Sequence, residues 1–390
     1  MKTKIAIGIL IILLLFSIAL SFIPYHFEFD FDIDIKVKPS AAKNNYKEYY
    51  KILIVDSYHP QFLISQLRFA GLLKKLIEYD YIDKKYSKKI FEKTNTFDDY
   101  YKFDQLEIKR IWLNSKEYME NFEIVNNIEK VVQCVNDYKP NLIMLSEDDA
   151  VEKIGTYYFG SDIPIIFWGL NTTPLKYDII RTPNSGVLNV SGVYQKELIF
   201  ETLELYQKIF AKDKIKILFV SEKSNTTNFK IKYIMENKQF YPQYEFIDFI
   251  VDNDFEKLKN GILKYSAQKD IDVIFCGAMG AYKDKSGRLL EISEVFKWLI
   301  ENTKKPLLSS LKSYINNGAL LGVCENEEEQ GELAAERFND FVNNKNFRDL
   351  NILYNVKNLK FINPNALKKY NDNLKLEDIK IKVSDIQVLQ

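Results

Sequence analysis

Short, nearly continuous apolar runs alternate along most of the chain with segments whose apolar residues recur at helical spacing. The run 51–56 ends in polar residues, as a buried parallel strand does, and 61–78 then has apolar residues three or four positions apart. The same two patterns recur as far as residue 342. Further strands are predicted at 108–112, 141–145, 164–168, 215–220, 244–250, 273–276, 306–309 and 319–323, and further helices at 115–136, 148–158, 197–210, 227–237, 255–268, 291–302 and 327–342.

This alternation predicts an α/β fold, because strands that alternate with helices form parallel sheets covered on both faces. Two series of similar size meet near residues 170–190. We therefore expect two doubly wound parallel-sheet lobes, each with its own apolar core.

The N-terminus has the pattern of an export signal. A cationic start, with Lys2 and Lys4, precedes an uncharged apolar stretch at 5–23 that is long enough to cross a membrane as a helix. Residues 19–21 (Ala-Leu-Ser) offer a small-x-small cleavage site. We predict that 1–23 is either a cleaved signal peptide or a retained membrane anchor, that 24–50 is a linker, and that the rest is periplasmic or otherwise extracytoplasmic.

Charge and cysteine content narrow the classes of partner. Lys+Arg and Asp+Glu both number 54, so the formal net charge is zero. A nucleic-acid-binding protein needs a basic surplus to displace counterions from phosphates, so no nucleic-acid partner is expected. Three cysteines, at positions 134, 276 and 324, make no disulfide framework.

Candidate site residues follow the predicted strands. In open parallel sheets, ligands bind beyond the carboxyl ends of the strands. Hydroxyl, amide, carboxylate and glycine residues there suit a small polar ligand, although capping of the next helix is an alternative role for each, as at Asp148 and Asp149. The candidates are Ser57, Tyr58, His59, Ser146, Asp148, Asp149, Gly169, Asn171, Ser221, Glu222, Gly277, Ala278 and Ser309, with Trp168 as a further apolar wall.

Catalytic and cofactor motifs are sparse, so we expect no enzyme, no cofactor and no metal. His26 and His59 are the only histidines, and no Gly-x-Ser-x-Gly or Cys-x-x-Cys motif occurs. The loop 277–280 lacks the Gly-Lys-Ser/Thr ending of a phosphate loop. A two-lobed glycosyltransferase remains an alternative from another class, but it predicts a nucleotide-phosphate loop and a cationic cleft.

Three segments resemble one known family: 52–60 (ILIVDSYHP), 140–150 (PNLIMLSEDDA) and 163–171 (IPIIFWGLN). They are similar to the ABC-transporter substrate-binding family of the tryptophan/tyrosine-binding type and to its branch fused to bacterial sensor kinases. Segments 189–193, 317–323 and 362–366 resemble it as well. Glu147 departs from the pattern, because the sensor branch usually has Asp or another small residue there.

The resemblance implies a type I periplasmic-binding-protein fold with hinge strands and a solute between the lobes. We expect a first lobe of 51–172 plus 311–345 and a second lobe of 173–310 plus 346–390, with Tyr194 facing the cleft from the second. The expected hinge segments are 170–174, 308–312 and 342–350.

The expected function is capture of a small polar, amino-acid-like solute by hinge closure and its delivery to an ABC permease and ATPase. A ligand-sensing module for a membrane receptor is the alternative. No kinase, cyclase or second membrane span follows the second lobe, which favours transport.

Overall fold

A computed structural model describes residues 49–86, 99–115, 122–171, 180–182, 185–186, 189–267, 271–343, 345–371 and 374–389. The predicted apolar segment 1–23 and almost all of the predicted linker lie outside these residues. Among the residues described, no helix combines the length and apolar character needed to cross a membrane.

The first half of the chain forms a strand-rich series with helical connections. Its elements are β1 (Tyr50–Asp56), α1 (Leu63–Glu78), β2 (Tyr100–Lys102), β3 (Leu106–Trp112), α2 (Phe122–Tyr138), β4 (Leu142–Ser146), α3 (Glu147–Ala150), a π-helical turn (Val151–Gly155), α4 (Thr156–Tyr158), β5 (Ile165–Leu170), β6 (Ile180–Thr182), β7 (Ser185–Gly186) and β8 (Val190–Tyr194).

The second half continues the alternation. Its elements are α5 (Ile199–Phe210), β9 (Ile215–Ser221), α6 (Asn225–Asn237), β10 (Tyr244–Val251), α7 (Phe255–Ala267), β11 (Val273–Cys276), α8 (Ile292–Asn302), β12 (Leu307–Leu308), α9 (Lys312–Asn316), β13 (Leu321–Cys324), α10 (Glu327–Val342), β14 (Leu353–Tyr354), β15 (Leu359–Ile362), α11 (Pro364–Tyr370), α12 (Leu376–Lys382) and β16 (Ile386–Val388).

The first lobe is built on a sheet with strand order β14-β8-β5-β4-β1-β3-β2. All neighbours pair in parallel except β2 with β3. Alternate residues of β1 enter different cores: Ile52 and Ile54 pack beneath α1 and α10, and Leu53 and Val55 pack with α2 on the other face. Burial on both faces explains why β1 is a continuous apolar run.

The second lobe is built on a sheet with strand order β10-β9-β11-β12-β13-β15-β16, in which only β13 and β15 pair antiparallel. One face packs against α5, α11 and α12, and the opposite face packs against α7, α8 and α9. Two separately cored, parallel-dominated lobes confirm the predicted α/β fold class.

Three short segments connect the lobes, at 195–198, 325–326 and 355–358. Each leaves one sheet at the carboxyl end of a strand, β8, β13 or β14. The first two enter antiparallel helices and the third enters the antiparallel strand β15, all of which begin at the carboxyl edge of the other sheet. The carboxyl edges of both sheets are therefore joined at the hinge and face the same gap.

The hinge segments differ from the expected ones. Residues 308–312 lie within the second lobe and 342–350 within the first, while most of 170–174 is outside the described residues. Strands β8 and β14 also belong to the first sheet, although the expected ranges placed them in the second lobe. The reason is that β8 extends the first sheet before the chain crosses.

Candidate ligand-binding site

The first-lobe candidates are brought together by four adjacent parallel strands, β8, β5, β4 and β1. Side chains of intermediate exposure at this edge belong to Tyr58, His59, Asp148, Asp149, Asn171 and Tyr194. Tyr194 ends β8, so it lies on the first lobe rather than the second, as a correction to the expected assignment. These six residues form the polar edge of the first lobe.

The second-lobe candidates follow β9, β11 and β12, which are also adjacent. Glu222 and Ala278 are partly exposed, whereas Ser221, Gly277 and Ser309 are buried. The Oγ of Ser221 lies 2.6 Å from the Oγ1 of Thr227 and accepts the backbone N–H of Ala278 at 2.9 Å. This edge is held together by bonds between hydroxyls and the backbone.

The hydroxyls of Ser57 and Ser309 are buried and bond within their own lobe, whereas the buried hydroxyl of Ser146 has no hydrogen-bond partner among the residues described. Ser57 donates to the carbonyl of Ser146 at 2.6 Å and accepts the N–H of Ala150 at 2.8 Å. Ser309 donates to the carbonyl of Cys276 at 3.0 Å. These bonds fix the turns that follow the strands.

The charges of three consecutive carboxylates act on the hydroxyl of Tyr58. Burial, followed by the charges of Glu147, Asp149 and Asp148, raises the pKa of the Tyr58 hydroxyl well above its usual value. The ring also packs edge-on against Phe62, with centroids 4.6 Å apart. An aromatic surface beside carboxylates is a suitable environment for a ligand that has both a flat apolar part and hydrogen-bond donors.

Asp148 and Asp149 hold neighbouring segments as well as facing the gap. The Oδ2 of Asp148 accepts the backbone N–H of Asn171 at 3.1 Å and its Nδ2 at 3.2 Å. The Oδ2 of Asp149 accepts the hydroxyl of Ser115 at 2.6 Å. The bonds of Asp148 therefore tie the turn after β4 to the turn after β5.

A buried arginine that the sequence did not reveal lies beneath these turns. The side chain of Arg68, in α1, is 1% exposed and forms an ion pair with Glu147. Its Nε donates to the Oε2 of Glu327 at 2.7 Å. An arginine inside an amphipathic helical pattern is normally expected at the solvent face, so no sequence signal marked it.

The backbone around Arg68 is shaped for the guanidinium. Glu147 has φ of +70° and Gly169 has φ of +69°, both in the left-handed region. A Cβ at Gly169 would collide with the Nη1 of Arg68, so only glycine fits there. Glu147 adopts this conformation with a side chain, which costs free energy.

The three crossing segments are tied to each other near the same place. Glu325 accepts the backbone N–H of Lys196 at 2.6 Å, and Glu329 accepts the N–H of Lys357 at 2.8 Å. The Nδ2 of Asn355 donates to the carbonyl of Asn326 at 2.8 Å. Each crossing segment is therefore hydrogen-bonded to at least one of the other two.

Two aromatic candidates have different surroundings. Trp168 is 0% exposed and packs in the core beneath α1 and α10, so its ring does not line the gap as expected. His59 is partly exposed, and its Nδ1 lies 3.3 Å from the Oε1 of Gln61. No group of three or more His, Cys, Asp or Glu side chains suited to a metal ion occurs among the residues described.

Comparison with known proteins identifies the fold. No protein-family model matches the sequence, and no curated protein is detectably similar. Among solved structures, the ABC domain from Streptococcus pneumonia in complex with L-Trp has 13% identity and a TM-score of 0.61, covering 88% of this chain and 100% of that one. The open, ligand-free substrate-binding protein CD0873 from Clostridium difficile has 17% identity and a TM-score of 0.61, with 87% and 99% covered.

A conserved domain protein from Vibrio cholerae matches at 14% identity and a TM-score of 0.60, covering 88% of this chain and 100% of that chain. Full coverage of each neighbour means that both lobes and their connections are shared. The chain therefore has the two-lobed type I periplasmic-binding-protein fold, as the resemblance implied. Identities this low establish the fold alone.

Proposed function

We propose that this chain is a non-enzymatic, extracytoplasmic solute-binding protein that holds a small polar solute between its two lobes. The observation that supports this best is the orientation of the sheets. All three crossing segments join carboxyl edges, so the polar edge of the first lobe faces the edge of the second lobe that carries Ser221, Glu222 and Ala278. Ligands of open α/β sheets bind at such edges.

The solute that suits this gap is amino-acid-like, with a flat apolar part. The ring of Tyr58 offers apolar surface, and Asp148 and Asp149 beside it attract an ammonium group. Asn171 and the partly exposed Glu222 add polar contacts from the two lobes. The neighbour that contains L-Trp has the same fold, which makes L-Trp a rational first probe.

The mechanism is hinge closure. A solute that touches both edges gains contacts only in the closed form, so it shifts the open–closed equilibrium toward closure. Closure also creates a joint surface from both lobes. We propose that an ABC permease with its ATPase recognises this surface and receives the solute; a membrane receptor that reads the same surface would define a sensor instead.

A thermal-shift panel tests the binding proposal. The purified chain should show a higher melting temperature with at least one member of a panel of amino acids, including L-Trp, small peptides and sugars, because binding to the folded form alone stabilises it. Replacing Asn171 with Ala should weaken that affinity about tenfold, the effect of losing one hydrogen bond of about 1.4 kcal/mol.

Asn237 provides a matched control for that variant. It is also partly buried, but it bonds the carbonyl of Tyr233 in α6, away from the gap. Asn237→Ala should leave the affinity unchanged. Equal affinities of the Asn171→Ala protein and the unsubstituted chain would remove Asn171 from the site, and a panel without any shift would contradict solute binding.

A further inference from the structure

The guanidinium of Arg68 contacts both the solute-facing turns and the hinge. Building on the proposed function, we propose that Arg68 is a positioning residue that couples the turns after β4 and β5 to the crossing segments, and so sets the angle between the lobes. Its side chain is 1% exposed, so it acts through its neighbours and not by touching the solute.

One side of the guanidinium holds the solute-facing turns. It pairs with Glu147, the first residue of the turn that continues into Asp148 and Asp149. It also fills the space that a side chain at Gly169 would need, two residues before Asn171. A shift of either turn toward a bound solute therefore changes the contacts of Arg68.

The other side of the guanidinium reaches one crossing segment and the residue that directly follows another. Glu327, its partner through the Nε and Nη2 atoms at 2.7 Å, begins α10 directly after the crossing 325–326. The Nη2 atom also lies 3.5 Å from the Oε1 of Gln195, the first residue of the crossing 195–198. A planar group with donors in fixed directions relates these positions more rigidly than a flexible ammonium group would.

The backbone of Arg68 is packed against α10, the helix that follows the crossing 325–326. A Cβ at Gly331 of α10 would collide with the carbonyl of Arg68, and one at Gly71 of α1 would collide with the carbonyl of Glu328. Helices α1 and α10 therefore touch backbone to backbone beside the crossing 325–326. Neither end of the Arg68 side chain is free to absorb a movement of the turns.

The energetics oppose the separation of Arg68 from either carboxylate. A buried ion pair that loses one partner leaves an uncompensated charge, which is strongly unfavourable. Arg68 must therefore keep Glu147 and Glu327 together in every populated lobe angle. This requirement limits how far the turns can move without the hinge.

Arg110 provides a matched control within the same lobe. It is also buried and pairs with a carboxylate, Asp56, at 2.7 Å, where both side chains are 0% exposed. Its Nη1 donates to Gln66 at 3.0 Å. Both of these partners lie within the first lobe, so Arg110 has the burial and charge pairing of Arg68 without the contacts to the crossing segments.

The test is the distance between nitroxide labels on the two lobes, measured by pulsed electron paramagnetic resonance without added solute. The labels replace Tyr157 of the first lobe and Lys285 of the second, whose exposed fractions are 61% and 81%. The native cysteines are buried and do not compete for the label. The variants are Arg68→Met, Glu327→Gln and Arg110→Met, each compared with the unsubstituted background well below its melting temperature.

We expect Arg68→Met and Glu327→Gln to broaden the interlobe distance distribution and shift its mean, while Arg110→Met lowers the melting temperature but keeps the original distribution. A narrow, unshifted distribution for Arg68→Met, or equal broadening for Arg110→Met, would overturn the proposal. Should Arg68→Met fail to fold, the distance distribution of Glu327→Gln tests the proposal by the same criteria. Since no solute is present, a failure of solute binding is a separate result.

Discussion

The two edges that face the gap are built from different chemistry. On the first lobe, carboxylates cluster around a buried guanidinium, and Glu147 takes a left-handed backbone conformation to reach it. On the second lobe, Ser221 and Ser309 bond to backbone groups, and Gly277 leaves room for the Ser221 hydroxyl. The first edge is charged and linked to the hinge, whereas the second is uncharged at its buried positions.

This difference indicates which edge discriminates between solutes. Charged groups in a partly dry environment favour one sign of ligand charge, and they respond when a ligand changes the local field. Hydroxyls that already bond to the backbone keep the second edge rigid instead. We therefore expect selectivity and movement to come from the first lobe, and rigidity from the second.

Substitution of Glu147 on the first edge should cause the greatest loss of stability. Glu147→Ala removes a buried partner of Arg68 and keeps a side chain in the left-handed conformation, so the free energy of unfolding should fall by about 3 kcal/mol or more. Glu147→Gly removes the same carboxylate, but glycine adopts the left-handed conformation without strain. This variant should therefore recover about 1 kcal/mol of that loss. Urea unfolding measures both.

An equal loss for the two Glu147 variants would mean that the left-handed backbone carries no strain in this turn. A loss below about 1 kcal/mol for both would mean that the ion pair with Arg68 stabilises neither the turn nor the lobe.

A smaller effect compares one buried hydroxyl from each edge. Ser57→Ala and Ser221→Ala each leave backbone groups without a partner, and each should lower the free energy of unfolding by about 2 kcal/mol. If these hydroxyls only fix the strand ends, the affinity for a solute found in the panel should stay within about twofold. A tenfold weakening would instead support the sequence-based expectation that Ser57 and Ser221 contact the solute.

A further effect concerns pH and the hinge. Burial and the neighbouring charge of Glu327 raise the pKa of the Glu325 carboxyl well above its usual value. The unfolded chain loses this proton first as pH rises, so the free energy of unfolding should fall between the usual and the raised pKa and then level off. Glu325→Gln should lack that fall; urea titrations from acidic to neutral pH compare the two.

The regular elements were largely predictable because each one has a buried face with its own periodicity. The predicted helix 327–342 and strand 273–276 have the observed bounds. Strands β2, β6 to β8 and β14 to β16 were missed, because their residues do not form a continuous apolar run like that of β1 or β4. Placing the hinge needs the pairing of β8 and β14, which no local pattern contains.

The position of the candidate site was predictable and its internal structure was not. The rule that ligands bind at carboxyl ends of parallel strands selected loops that the structure brings to one edge in each lobe. Arg68 and Glu327 are 259 residues apart along the chain and meet only because α1 packs on α10. Interactions between such distant segments leave no spacing signal in a single sequence.

We propose that a bound solute closes the gap between the two carboxyl edges. Small-angle X-ray scattering of the chain, with and without the panel solute that raises the melting temperature most, measures this directly. Closure predicts a smaller radius of gyration with the solute bound. A solute that raises the melting temperature but leaves the radius unchanged would contradict a hinge-closing protein.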